Sequence, residues 1–229
     1  MRRLLMMCIL AMGVLLSSCE KEQNEVVDRV DRKIVLFSLE EYQINYDGGE
    51  VFWKSDNPMI ASVNQSGLVT AFTVGKTDIL AGSRVYEVEV VPKYNAFIEP
   101  YHDWNAPREY FEEYMESKCG SGEITEGMSM YLDRSTNTVY AYMFDEYNNV
   151  DDYIIQVPIM MVEPFTYWLT ERYFLLAKED NIYTLLSPDK RTAVAYGVTN
   201  GEIIALIFPL ADDTRVISDM RTKVKRLLD

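Results

Sequence analysis

The chain has 229 residues, 48% of them hydrophobic and 12% aromatic, enough apolar material for one or two packed cores. Its 22 Lys and Arg stand against 36 Asp and Glu, and a net charge of −14 argues against nucleic-acid phosphate and against anionic headgroups as partners. A single histidine, His102, leaves no material for a His-rich zinc site.

At the N-terminus, Met1-Arg2-Arg3 precedes an uncharged run from Leu4 to Leu16. A basic cap on an apolar stretch of this length is the layout of a secretory signal. It stops short of the roughly 20 residues that a membrane-spanning helix needs. The next residues, Leu16-Ser17-Ser18-Cys19, resemble the lipobox read by lipoprotein signal peptidase. The resemblance implies a lipoprotein signal peptide over residues 1–18 and lipid attachment at Cys19, with several acyl chains giving stable attachment. Glu20-Lys21-Glu22-Gln23-Asn24-Glu25 has nothing apolar to bury, so residues 19–31 read as an acidic tether. Loss of residues 1–18 would remove Arg2 and Arg3 and leave 20 basic against 36 acidic side chains, a net charge of −16. Cys8 would leave with the signal, and Cys119 would then have no intramolecular disulfide partner. The expected address is the bacterial cell envelope: lipid-anchored, at the outer membrane, and facing outward.

From Lys33 to Val90 the texture is that of short strands. Ile34–Phe37, Val51–Trp53, Ile60–Val63, Leu68–Ala71, Thr77–Ala81 and Tyr86–Val90 alternate or carry β-branched residues, and are separated by Asp47-Gly48-Gly49, Ser55-Asp56-Asn57-Pro58 and Asn64-Gln65-Ser66-Gly67. About seven strands over residues 32–92 predict an all-β sandwich. The run from Val51 to Ile79 resembles the bacterial immunoglobulin-like domain of group 2. Trp53-Lys54-Ser55-Asp56-Asn57-Pro58, Ala61-Ser62-Val63, Gly67-Leu68-Val69-Thr70-Ala71 and Gly75-Lys76-Thr77-Asp78-Ile79 follow the family's order of motifs, with Asp78 where Ala or Thr is usual. The resemblance implies a spacer or binding module of the kind found in adhesins and surface proteins, without catalytic residues. Trp53 shares a strand face with Val51 and is expected in the core.

Residues 93–229 read as an α+β domain. Pro107–Lys118 has Pro first, acids early, Lys late, and Tyr110, Phe111, Tyr114 and Met115 at helical spacing. Strands are predicted at Met128–Leu132, Thr138–Phe144 and Tyr153–Val157. The order repeats as a helix over Phe165–Lys178 and strands at Tyr183–Leu186, Thr192–Val198 and Glu202–Phe208. Matching Leu132 to Leu186 gives an offset of 54, Pro158 to Pro209 gives 51, and Tyr110-Phe111 to Tyr173-Phe174 gives 63. The expectation is two αβββ repeats forming a six-stranded antiparallel sheet with two helices on one face, and an insertion around Cys119–Gly127. Thr214–Asp229 places Val216, Ile217, Met220, Val224, Leu227 and Leu228 on one stripe, predicting a C-terminal helix that either packs on the sheet or docks a membrane surface or partner.

Catalytic signatures are sparse. His102 lies beside Asp103, but sequence adjacency does not supply a triad's spatial roles. Cys119 sits at a helix C-terminus, whose field disfavours a thiolate. The Asp145–Asp152 turn has many oxygens but not an EF-hand's spacing, and reads as a solvated hairpin tip. The expectation is therefore a multidomain, non-catalytic binding or adhesion module for glycan or protein, without cofactor or metal. Tyr101 and Trp104 are the candidate ligand-binding residues. The alternatives are a structural accessory subunit of an envelope complex and a hydrolase working with carboxylates alone.

Overall fold

A computed structural model describes residues 30–101, 103–198 and 201–210. The expected signal peptide, Cys19, the tether up to residue 29, His102 and the C-terminal helix lie outside the described residues. Among those described, the chain is mostly β, and no helix is long and apolar enough to cross a membrane.

Seven strands form the first part: β1 (Val30–Phe37), β2 (Glu41–Gln43), β3 (Trp53–Ser55), β4 (Ala61–Val63), β5 (Leu68–Ala71), β6 (Gly75–Ala81) and β7 (Arg84–Val91). They pair as a four-stranded sheet, β1-β7-β6-β3, and a three-stranded sheet, β2-β5-β4, with β1 running parallel to β7. The alternation of β6 and β7 puts Ile79, Ala81, Tyr86, Val88 and Val90 inward, where they meet Val69 and Ala71 from the other sheet. Trp53 is 5% exposed, as expected of a core residue, and its ring approaches Tyr46 edge-on at 5.8 Å. The turn Asn64–Gly67 runs across that indole. Asn64 Oδ1 accepts the N–H groups of Ser66 at 2.9 Å and Leu68 at 3.0 Å, and Gly67 has φ +82°. A Cβ on Gly67 would lie 2.8 Å from the Trp53 ring, so only glycine fits both the backbone and the ring. Two details depart from the sequence reading. The short β2 was not anticipated, and Val51-Phe52 is not a strand: Phe52 is 74% exposed and the strand begins at Trp53.

The remaining elements are α1 (Arg108–Cys119), β8 (Glu123–Ile124), β9 (Met128–Asp133), β10 (Thr138–Phe144), β11 (Val150–Pro158), α2 (Val162–Arg172), β12 (Phe174–Glu179), β13 (Ile182–Leu186), β14 (Thr192–Val198) and β15 (Glu202–Pro209). They build one eight-stranded antiparallel sheet in the order β12-β13-β14-β15-β11-β10-β9-β8. Each run is thus a helix and four strands, so the expected αβββ unit and six-stranded sheet are each too small. The strands missed, β8 and β12, are the two edges.

The second helix is also corrected. Tyr173 and Leu176 continue the stripe of Phe165, Trp168 and Leu169, which predicts a helix as far as Lys178. The helix ends at Arg172, Tyr173 is extended at φ −129° and ψ 139°, and the following residues pair with β13. Ladder pairing won over helical periodicity. With this boundary α1 and α2 start 54 positions apart, the same offset as Thr138 to Thr192 at the starts of β10 and β14. Phe111 and Phe165, and Met115 and Leu169, then become equivalent, and all four are fully buried. The offset of 63 and the supposed insertion are artefacts of the misplaced helix end. The offset of 51 fails as well. An odd shift would pair Val157 on the helix side with Phe208 on the opposite face, whereas Ile155 and Ile207, 52 apart, share the helix-side core.

The helices and the connection over residues 94–106 cover one face of the sheet. Tyr131, Tyr140, Tyr142, Tyr153, Phe111, Phe165 and Trp168 dominate that core, each at most 1% exposed. The connection is stitched down by tyrosine hydroxyls: Ile98 N–H donates to Tyr140 at 3.0 Å and Tyr101 N–H to Tyr142 at 3.4 Å.

Candidate functional site

The two β regions meet at a junction organised by the last turn of α2. Glu171 is 5% exposed, and its carboxylate accepts the backbone N–H groups of Lys93 at 3.1 Å and Tyr94 at 2.9 Å, where the chain leaves β7. Its own carbonyl accepts the N–H of Val74, in the sandwich, at 2.6 Å. Its neighbour Arg172, 7% exposed, donates to Glu99, to the Trp168 carbonyl at 3.1 Å and to Asn95 at 3.4 Å, and lies over the Trp168 ring at 4.7 Å. A helix that ends on two buried charges is held by what those charges bind. On the far side, Asn57 Nδ2 of the sandwich donates to the Pro188 carbonyl in the β13–β14 turn at 3.0 Å.

Between these contacts lies a cleft of about 580 Å³, within the range of small-molecule sites. Its walls come from four places: Asn57, Ile60 and Val74–Lys76 of the sandwich, Glu99 and Asp103–Asn105 of the connection, Arg172-Tyr173 at the end of α2, and the turn Ser187–Thr192. The sandwich wall is made from the Asn57-Pro58 and Gly75-Lys76 motifs. Two large aromatics line the cleft, the buried Tyr173 and the half-buried Trp104. Trp104 Nε1 donates to Thr192 Oγ1 at 3.0 Å and its ring stacks on Tyr153 at 5.6 Å, which fixes the indole while leaving it half-buried. The cleft's carboxylates hold its walls. Glu99 pairs with Arg172, Asp103 accepts the Asn105 N–H at 3.1 Å, and Asp189 accepts the Arg191 N–H at 3.0 Å and the Ser187 hydroxyl.

The two candidate aromatics are therefore separated. Tyr101 does not line the cleft; it packs edge-on against Phe111 at 5.1 Å and near Tyr114 at 5.6 Å. Glu171 and Arg172, which organise the junction, were not found in the sequence. The apolar stripe predicted to run on to Lys178 puts this pair in mid-helix, so nothing in the sequence marked it as a helix end.

The remaining motifs are accounted for structurally. Cys119 ends α1, half-buried, and burial together with the nearby Asp133 pushes its thiol up to about 11. In the Asp145 turn, Oδ1 accepts the N–H groups of Tyr147 at 2.9 Å and Asn149 at 2.8 Å, as in a hairpin tip.

Residues 23–86 match the family described as bacterial Ig-like domain (group 2). That is a little over a quarter of the chain. No curated protein matches it. Among solved structures, the chain is similar to "Structure of surface layer protein SbsC, domains 4-9", at 12% identity and a TM-score of 0.23, over 81% of this chain and 27% of that one. The chain thus spans about a quarter of that structure's length.

Proposed function

We propose that this chain is a non-catalytic binding module of the bacterial cell surface, with the junction cleft as its binding site and Trp104 as the anchor for a glycan or a protein segment. The carrying observation is that the cleft is walled by both β regions at once and presents one positioned, half-buried indole. An aromatic held rigidly beside polar groups gives stacking area and orientation at small entropic cost. Residues 32–92 act as the spacer domain, and residues 93–229 as an α+β binding domain made of two repeats with a terminal helix. The Ig-like match at residues 23–86 supports a surface setting. Lipid on Cys19, in the outer membrane, completes the reading and rests on the lipobox-like Leu16–Cys19.

The test of the site is a glycan array and an envelope-protein pull-down with the anchored protein. Trp104→Ala should weaken the captured ligand by about tenfold or more, while Tyr101→Phe leaves it unchanged. Equal binding by Trp104→Ala would remove the cleft from consideration. Labelled palmitate should enter the wild-type protein and not Cys19→Ser.

A second reading, an accessory subunit of an envelope complex, is favoured by one feature. Among the described residues, the edge strand β12 pairs only with β13 and presents Phe174, Leu175 and Leu176 at 44%, 49% and 46% exposure. Charged substitution at Leu175 would then abolish co-purification of the complex and spare ligand capture by the cleft.

A further inference from the structure

The two halves of the eight-stranded sheet are built alike, so each residue on the face away from the helices has a counterpart in the other half. Four pairs differ in exposure in one direction, and one, Asp152 at 6% against the half-buried Ile204, differs in the other, on β11 and β15 where the two halves meet. Leu132 is 45% exposed, and Leu186 is half-buried. Val139 and Met130 are half-buried, whereas Ala193 is fully buried and Thr184 is 1% exposed. Ile154 is half-buried, and Leu206 is 2% exposed. Among the described residues, the cluster formed by Ala193, Ala195, Leu206 and Phe208 contains only the sheet's own strands and Leu210. An apolar sheet face of this kind is stable only when another layer covers it.

We infer that residues 214–229 form that layer: an amphipathic helix laid across the outer face of β13, β14, β15 and β11, burying the second half together with β11 and leaving the β8–β10 end of the sheet more open. Three observations select this occupant. Leu210 belongs to the cluster, and only Ala211-Asp212-Asp213 separate it from Thr214, so the segment starts at the edge of the face it would cover. Sixteen helical residues span about 24 Å, enough to cross four strands spaced about 4.8 Å apart. The charges also match. Arg215, Arg221, Lys223, Lys225 and Arg226 flank the apolar stripe of Val216, Met220, Val224 and Leu227, and the carboxylates Asp152 and Glu202 rise from the same face of the sheet. The opposite face is already filled by α1, α2 and the 94–106 connection. The terminal helix is thereby spent within its own chain and is not a device for docking a membrane or a partner.

The experiment places a benzophenone photocrosslinker at Phe208 in the whole chain and maps the product by mass spectrometry. The expected result is an intramolecular crosslink into residues 214–229. In parallel, Met220→Asp with Val224→Asp should lower the melting midpoint by about 10 °C and raise binding of a hydrophobic dye, while Lys223→Asp with Arg226→Asp gives a smaller shift. Crosslinks into a second copy, into another protein or into no peptide of this chain would overturn the inference. So would a double aspartate variant that melts with the wild type.

Discussion

The sandwich and the eight-stranded sheet solve the same problem with different reserves. Among the described residues, 13 buried hydrophobics make the sandwich core and 22 make the helix-side core of the sheet, so the sandwich has much less to lose before it unfolds. It compensates with shape: a single indole, Trp53, is crossed by a turn that only Gly67 can make. The sheet compensates with repetition, since each helix brings its own Phe and an aliphatic side chain to equivalent places on one face. The lesson is that a small domain concentrates its dependence in one residue, while a duplicated one spreads it.

That contrast breaks most sharply at Trp53. Trp53→Ala should cost about 3–5 kcal/mol, comparable to the whole stability of a domain of some 60 residues. Calorimetry is expected to show the sandwich transition lost and the sheet transition kept. A single transition shifted as a whole would mean that the junction joins the two regions into one cooperative unit. Phe111→Ala has a cost of similar size but falls on a larger core, and should shift the sheet transition without abolishing it.

The junction comes next. In Glu171→Ala the N–H groups of Lys93 and Tyr94 lose their acceptor and Arg172 loses one of its carboxylates, at a cost of about 2–3 kcal/mol. Limited proteolysis should then cut between residues 92 and 96 faster than in the wild type, with the sandwich released intact. Unchanged cleavage would show that the Asn57 and Val74 contacts suffice to hold the two regions together.

How much of this could be read beforehand follows the range of the interactions. The sandwich turns and strands were legible because Asn64–Gly67 and the Trp53 and Gly75 motifs are local chemistry. Thr138–Phe144 and Thr192–Val198 were legible to the residue, since each is a short, nearly continuous apolar run with turn-bounded ends. The end of α2 was not, because Tyr173 and Leu176 fit a helical stripe and only pairing with β13, a tertiary fact, makes them strand. The outer strands escaped for the same reason: an edge has one partner and a weak pattern. In the site, Trp104 was legible as an aromatic at a domain boundary. Its separation from Tyr101 was not, because three residues of irregular chain can turn one ring inward to Phe111 and the other toward the cleft.

A smaller effect separates the two equivalent helices by charge. α1 begins at Arg108, which donates to Glu112 at 2.7 Å and to the carbonyls of Glu126 at 2.7 Å and Thr125 at 2.6 Å, while α2 has Val162 at the equivalent place. Burial works to raise the Glu112 carboxyl, but hydrogen bonds from Ser129 and Arg108 and the Arg108 charge outweigh it and leave it below its usual 4.5. A lowered carboxylate stabilises the fold above the unfolded value and loses that contribution as pH falls through the lower folded one. The sheet transition should therefore weaken below about pH 4.5 more in the wild type than in Glu112→Gln. Parallel pH profiles for the two proteins would remove Glu112 from the acid response.

The smallest expected effect concerns Cys119, where the first half carries a thiol and the second carries Tyr173 at the same offset. A thiol raised to about 11 by burial and by Asp133 is almost wholly protonated at neutral pH, and the C-terminal end of α1 adds no help to the anion. At pH 7.5 its thiolate fraction falls below that of an ordinary cysteine with a pKa near 8.5 by more than a hundredfold, so iodoacetamide should label it correspondingly slowly in the folded protein. Asp133→Asn should speed labelling modestly, because burial is the larger cause and Asp133 the smaller one. Labelling at the rate of a free thiol peptide would mean that α1 opens at its last turn faster than the reagent reacts, and would identify that turn as the loosest part of the helix layer.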